Sequence, residues 1–219
     1  MNYVISICEL NALKKLTDIC AELELVMTTV FNARGTAVRS MLDILGIEST
    51  NRRVVLTVAN EEKTKRLIEL QKERMFIGVP GHGIVIAVPI KSIGGGKTVA
   101  YLNGGEMNSK YVPKLNYSYE LIIAITNEGR TDMVMNAARG VGAKGGTVLH
   151  GKGTGTENQQ KFFNVSIAQE KEVILILSEA SQKASIMKAI IEKAGPDTEA
   201  GAVVFSIPTS AAAGFGILN

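Results

Sequence analysis

The sequence predicts an α+β fold of two tandem domains, each a four-stranded antiparallel sheet with two helices on one face. Three observations carry this. Short β-rich apolar runs alternate with stretches of helical periodicity. The order β-α-β, loop, β-α-β occurs once before residue 90 and again from residue 118. The two passes superpose at a constant offset of 118 without a gap, with Ile5 on Ile123, Thr29 on Thr147, Val55 on Val173, Lys65 on Lys183, Gly83 on Gly201 and Val85 on Val203. Matching element order without an insertion reads as a duplication.

In the first pass Val4–Cys8 reads as a strand. Asn11 offers a helix N-cap, and Leu13, Leu16, Ile19, Cys20 and Leu23 recur at helical spacing. Leu25–Phe31 is β-rich and ends in ARGTA, Ala33–Ala37, before a loop with a helical turn at Ser40–Leu45. Val54–Val58 is a strand. Asn60 with Glu61 and Glu62 opens a charged helix to Met75, and Gly81 and Gly83 lead into the strand Ile84–Val88. The charged helix carries both a favourable i,i+4 pair, Glu61–Lys65, and a like-charged one, Glu69–Glu73.

In the second pass Leu121–Ile125 is a strand, Thr131–Val141 a helix and Gly145–His150 a strand. Gly151–Lys171 is a loop, Val173–Leu177 a strand, Glu179–Ala194 a helix capped by Ser178, and Ala202–Ile207 the last strand. Two β-α-β units in series make the split β-α-β, or ferredoxin-like, arrangement. The domains are residues 1–90 and 118–219, joined by a glycine-rich linker or extension at 91–117. The strands are apolar at most positions, so the sheet face without helices is expected to be buried against another copy.

Composition narrows the function. Apolar residues make up 46% and charged residues 21% of 219, as in ordinary globular domains. A net charge of +3, evenly spread and without interleaved aromatics, gives no nucleic-acid footprint. Cys8 and Cys20 fall on core positions and read as buried thiols. No run approaches the ~18 apolar residues of a membrane span. The start, MNYVISICEL, reads as a strand rather than a signal peptide, so the expectation is a cytoplasmic protein.

The most distinctive stretch is His150–Gly155, HGKGTG, at the end of a strand. Glycines interleaved with Lys152 and Thr154 suit close backbone approach to an anion, against the plainer alternative of a solvated turn. Arg34 and Thr36, around Gly35, are the equivalent pair in the first pass. His150 and His82 have no second ligand at metal spacing. Gly94–Thr98, GGGKT, has Lys91 where a phosphate loop needs glycine, and lacks the strand-to-helix context. Phe162 and Phe163 lie in the second loop and read as packing residues or a docking pair. No paired carboxylates, nucleophile–base set or metal cluster stands out. The chain reads as a regulator rather than an enzyme, with no catalytic residues and no metal.

At Ala137–Gly155, AARGVGAKGGTVLHGKGTG, the sequence resembles the PII family of nitrogen-signalling proteins and their PII-like relatives, over about Tyr119–Ile207. The first half joins only through the internal repeat. The resemblance implies ferredoxin-like subunits in rings of three, here a trimer of tandem chains. It implies ligands in clefts between neighbours, a long T-loop, and a transporter or metabolic enzyme as partner. Carried onto this chain, the T-loop root is Gly151, Lys152, Gly153, Thr154 and Gly155, with Arg34, Gly35 and Thr36 as counterpart. The second glycine-rich loop maps onto Gly195–Gly201, including Gly201, and onto Gly78–Gly83, including Gly81 and Gly83. A nucleotide is the implied ligand class. The family's Gly-Asp-Gly-Lys stretch is nevertheless replaced by EAGA at Glu199–Ala202 and GHGI at Gly81–Ile84, and the basic residues after the last strand by PTSAAAGFG at Pro208–Gly216. The implied function is sensing of a small anionic or nucleotide-like effector. The alternative is a ligand-free structural or adaptor protein that kept the fold.

Overall fold

The structure is a computed structural model that describes residues 1–25, 27–36, 51–79, 81–91, 115–153, 161–162, 165–166 and 169–214. It divides into two compact units. Unit 1 comprises Met1–Asn32, Asn51–Tyr119 and Pro208–Asn219; unit 2 comprises Ala33–Thr50 and Glu120–Ile207. Each unit therefore includes a segment from the other half of the sequence.

The first half contributes β1 (Asn2–Glu9), α1 (Leu13–Glu22), β2 (Thr29–Gly35), β3 (Asn51–Ala59), α2 (Glu61–Met75) and β4 (Ile84–Pro89). The second contributes β5 (Asn116–Asn127), α3 (Thr131–Arg139), β6 (Thr147–Gly153), β7 (Lys161–Phe162), β8 (Val165–Ser166), β9 (Gln169–Glu179), α4 (Ala180–Ala194), β10 (Val203–Thr209) and β11 (Ala211–Ala213). The sheet order is β4-β1-β3-β2 in the first half and β10-β5-β9-β6 in the second. Both are the order of a ferredoxin-like βαββαβ sheet, with antiparallel pairing of β1 to β3 and β4, and of β6 to β9. The fold is α+β, of the ferredoxin type, as the sequence predicts.

In unit 1 the two helices lie on the face formed by Val4, Cys8, Val55, Ala59, Val85 and Ala87, which they cover with Leu16, Ile19, Cys20, Leu67, Leu70 and Met75. Two buried polar pairs tie α2 to β1: Asn2 Nδ2 donates to Thr64 Oγ1 at 3.2 Å and Gln71 Nε2 to Ser6 Oγ at 3.1 Å. Burial pushes both thiols up to about 11, so Cys8 and Cys20 are unreactive core residues. In unit 2 the equivalent core is built from Ile122, Ala124, Val148, Ile174 and Ile176 under Val134, Met135, Ala138, Ile186 and Ile190.

These cores correct the repeat. Val4, Leu16, Cys20 and Leu25 correspond to Ile122, Val134, Ala138 and Ala143 at the predicted offset of 118. From β3 onward the inward-facing residues correspond at 119: Val55 with Ile174, Leu67 with Ile186, Met75 with Ala194. The second half thus carries one extra residue between the two sets. A shift of one residue turns a strand over, so Val173 and Val203 are not the counterparts of Val55 and Val85. Ala59 corresponds to Ser178, whose hydroxyl is buried without a partner among the described residues. Ser178 therefore does not cap α4; β9 runs on to Glu179, which occupies that position with no side-chain cap bond.

Other local expectations also shift. Asn60 caps α2 as predicted, its side chain accepting from Lys63 N at 2.8 Å. Asn11 caps nothing, because Leu10–Ala12 is a 3-10 turn and α1 starts at Leu13. The β-rich run predicted at Leu25–Phe31 forms its strand later, at Thr29–Gly35, and α3 ends at Arg139. On the sheet face away from the helices, Ile5, Ile7 and Ile86 of unit 1 and Leu121, Leu175 and Leu177 of unit 2 are each 8% exposed or less. β11 was not expected; it pairs antiparallel with β4, Ala211 opposite Ala87 and Ala213 opposite Val85.

Candidate functional site

The glycine-rich root in unit 2 is a strand ladder rather than a loop. β6 and β9 stay paired past His150, with Gly151 opposite Lys171, Lys152 opposite Glu170 and Gly153 opposite Gln169. Main-chain pairing needs no side chain, so glycines extend the ladder where the sequence suggests a turn. The long connection expected at Gly151–Lys171 therefore starts after Gly153 and ends before Gln169. Thr154, Gly155 and Phe163 lie outside the described residues, as does Ala37.

Two cross-strand rungs, Lys152–Glu170 and His150–Glu172, face the helix side of this stem. Lys152 Nζ lies 3.3 Å from Glu170 Oε1, with both side chains substantially exposed. His150 Nε2 lies 3.4 Å from Glu172 Oε1. Glu172 is buried, and its Oε2 accepts from the Thr131 N–H at 3.1 Å and the Thr131 hydroxyl at 2.7 Å. α3 has no side-chain cap of its own at Arg130, so Glu172 caps it from across the unit. A carboxylate at a helix N-terminus satisfies free N–H groups and complements the helix dipole. Glu172→Ala is expected to cost about 2 kcal/mol, read by urea denaturation, with Glu172→Gln losing less because it keeps an acceptor.

Beside the stem, the Glu199–Gly201 turn is tied to the end of β5. Asn127 N donates to Ala200 O at 3.0 Å, Asn127 Nδ2 to Glu199 O at 3.0 Å, and Thr126 Oγ1 to Ala200 O at 2.7 Å. Lys171 Nζ donates to Asn127 Oδ1 at 2.5 Å, and Arg130 Nη2 sits 3.1 Å from Glu199 Oε2. Gly201 holds a left-handed φ of +55° there.

The first-half counterpart is also embedded in unit 2. Arg34 and Gly35 pair with Val148 and Thr147 of β6. The Thr36 hydroxyl donates to Gly146 O at 2.9 Å and accepts from Gly146 N at 2.8 Å, while the Arg139 guanidinium donates to Thr36 O. Thr36 thus serves as a clasp. Unit 2 brings together Gly151, Lys152 and Gly153 as one strand end, Arg34–Thr36 as a neighbouring strand, and Gly201 as a separate turn. Gly81 and Gly83 belong to unit 1, in the turn before β4, with φ of +92° and +130°. The sequence did not single out Glu170, Glu172, Thr131, Asn127 or Arg139; their roles come from partners far along the chain. Among the described residues no cluster of three or more His, Cys, Asp or Glu could hold a metal ion. Nor is any described helix long and apolar enough to cross a membrane.

The stem, the capping carboxylate and the Glu199–Gly201 turn all fall within residues 119–214, which match the family model of the nitrogen regulatory protein P-II. The match covers 96 of the 219 residues. Among solved structures, Arabidopsis thaliana PII bound to citrate matches at 24% identity, over 46% of this chain and 81% of that one, with a TM-score of 0.33. No curated protein matches the chain. The P-II match covers the second half; the first half shares its element and strand order.

Proposed function

We propose that this chain is a PII-like regulator. It binds a small anionic or nucleotide-like effector at clefts between domains, with Lys152 and the backbone of Gly151–Gly155 as the anion-facing part in the P-II domain. Arg34–Thr36, Gly81, Gly83 and Gly201 are further contact positions in this reading. The observation that carries it is the P-II match over a stem that ends in Gly-Lys-Gly. An exposed ion pair such as Lys152–Glu170 is worth about 0–1 kcal/mol, so an incoming anion displaces Glu170 at little cost. Binding would then change contact with a partner protein in nitrogen or related metabolism. The absence of a lysine in Glu199–Ala202 favours a second reading, a ligand-free adaptor.

Thermal shift of the purified protein against nucleotides, cyclic dinucleotides, 2-oxoglutarate and simple anions separates the two. A ligand at a hundred times its dissociation constant adds about 2.7 kcal/mol. The expected result is a shift with at least one ligand that Lys152→Ala abolishes. No shift with any of them leaves the adaptor.

A further inference from the structure

The turns before β4 and before β10 hold the same place in their units but differ in what lies against them. Residues from Pro208 onward belong to unit 1. There Thr209 is fully buried, its hydroxyl donating to Tyr119 O at 2.9 Å. The Ser210 N–H donates to Ala87 O at 2.8 Å and the Ser210 hydroxyl to Asn2 Oδ1 at 2.8 Å. Asn2 in turn donates to Thr64 of α2. The segment is thus anchored in the unit before β11 runs along the edge of β4 towards its start, where Ala213 is buried opposite Val85.

Gly214 completes the path. It holds a left-handed φ of +92°, and a Cβ built on it would lie 2.3 Å from Gly83 O, 2.7 Å from Ile77 O and 3.0 Å from Ile84 Cα. Its main chain therefore fills the gap between the two ends of the turn, at a spacing that only glycine allows. The segment brings no cation with it, since Pro208–Gly214 reads PTSAAAG. In unit 2 a Cβ on Gly201 would meet only the Asn127 side chain. Among the described residues no strand pairs with the outer edge of β10.

We propose that Ser210–Gly214 is an autoinhibitory strap over the unit 1 counterpart of the effector site. The proposal rests on the reading above, in which Gly81 and Gly83 are contact positions. With the strap in place that site is shut and unit 2 alone takes effector. Release of Gly214 opens it, and an effector that binds only the open form favours release. Two similar halves thereby give one standing site and one held closed by the chain itself.

Gly214→Val tests this, because no side chain fits between Gly83 and Ile77, while Ser210–Ala213 keep their own contacts. Thermal shift against nucleotides, cyclic dinucleotides, 2-oxoglutarate and simple anions is read on wild type, Lys152→Ala, Gly214→Val and the double variant, each with unchanged circular dichroism. The expected result is a shift that Lys152→Ala abolishes and that returns when Gly214→Val is added. A double variant that stays silent while the wild type responds overturns the strap and leaves the effector reading standing. A shift that survives Lys152→Ala alone overturns the strap as well. No shift in any chain removes the effector reading and the strap with it. Amide exchange needs no effector: Gly214→Val should speed exchange at residues 81–84, and unchanged exchange there overturns the proposal.

Discussion

Gly83→Ala is expected to destabilise unit 1 by about 3 kcal/mol or more, lowering Tm by roughly 6–12 °C. Two independent costs combine. The φ of +130° is a conformation that side chains bearing a Cβ rarely adopt, and the added Cβ would lie 2.3 Å from the Ile7 carbonyl oxygen. That oxygen belongs to β1, the central strand of the β4-β1-β3 ladder, so it cannot yield without disturbing pairing on both sides. Gly81→Ala is the control. Its φ is +92°, but nothing lies within 4 Å of the added Cβ, so only the backbone cost of about 1 kcal/mol applies. Differential scanning calorimetry of the two variants separates steric collision from backbone strain; equal losses would show that the collision is relieved by local movement.

Leu67→Ala comes next, with an expected loss of about 2–5 kcal/mol. Leu67 is fully buried in the core that holds α2 on the sheet. Leu67→Met keeps most of the volume and should cost less than about 1.5 kcal/mol. Ile186 is the unit 2 residue at the corresponding position, and Ile186→Ala should destabilise unit 2 comparably. Under a uniform offset of 118 the counterpart of Leu67 would be Ser185, and Ser185→Ala would be the damaging change instead. Ser185 is exposed, however, and its hydroxyl bonds only the Gln182 carbonyl, so that substitution should leave the urea midpoint nearly unchanged.

What was legible in the sequence was what is local. Asn60 followed by Glu61 and Glu62 is a complete helix start, and the structure uses it as one. The alternation of strands and helices sufficed for the ferredoxin-like order. Asn11 and Ser178 are the same type of residue as Asn60 or a close relative, yet neither caps a helix, because the adjoining 3-10 turn and the longer β9 move the boundaries past them. The Gly-Lys-Gly stretch looked like a loop because glycine disfavours strands, but pairing with Gln169–Lys171 overrides that preference. Glu172 could not be found from spacing at all, since the helix it caps starts 41 residues earlier. The β11 alanines carry little strand preference of their own, and only the edge of β4 gives them one.

The pairing of β11 with β4 also has a consequence for synthesis. Ala87 must wait for Ala211, which leaves the ribosome 124 residues later. At about 5–20 residues per second that is a delay of roughly 6–25 s. During it the nascent first half exposes the outer edge of β4, an apolar strand able to pair with a neighbouring nascent chain on the same message. Unit 1 is begun first and finished last, and the interval is when a chaperone has most to protect.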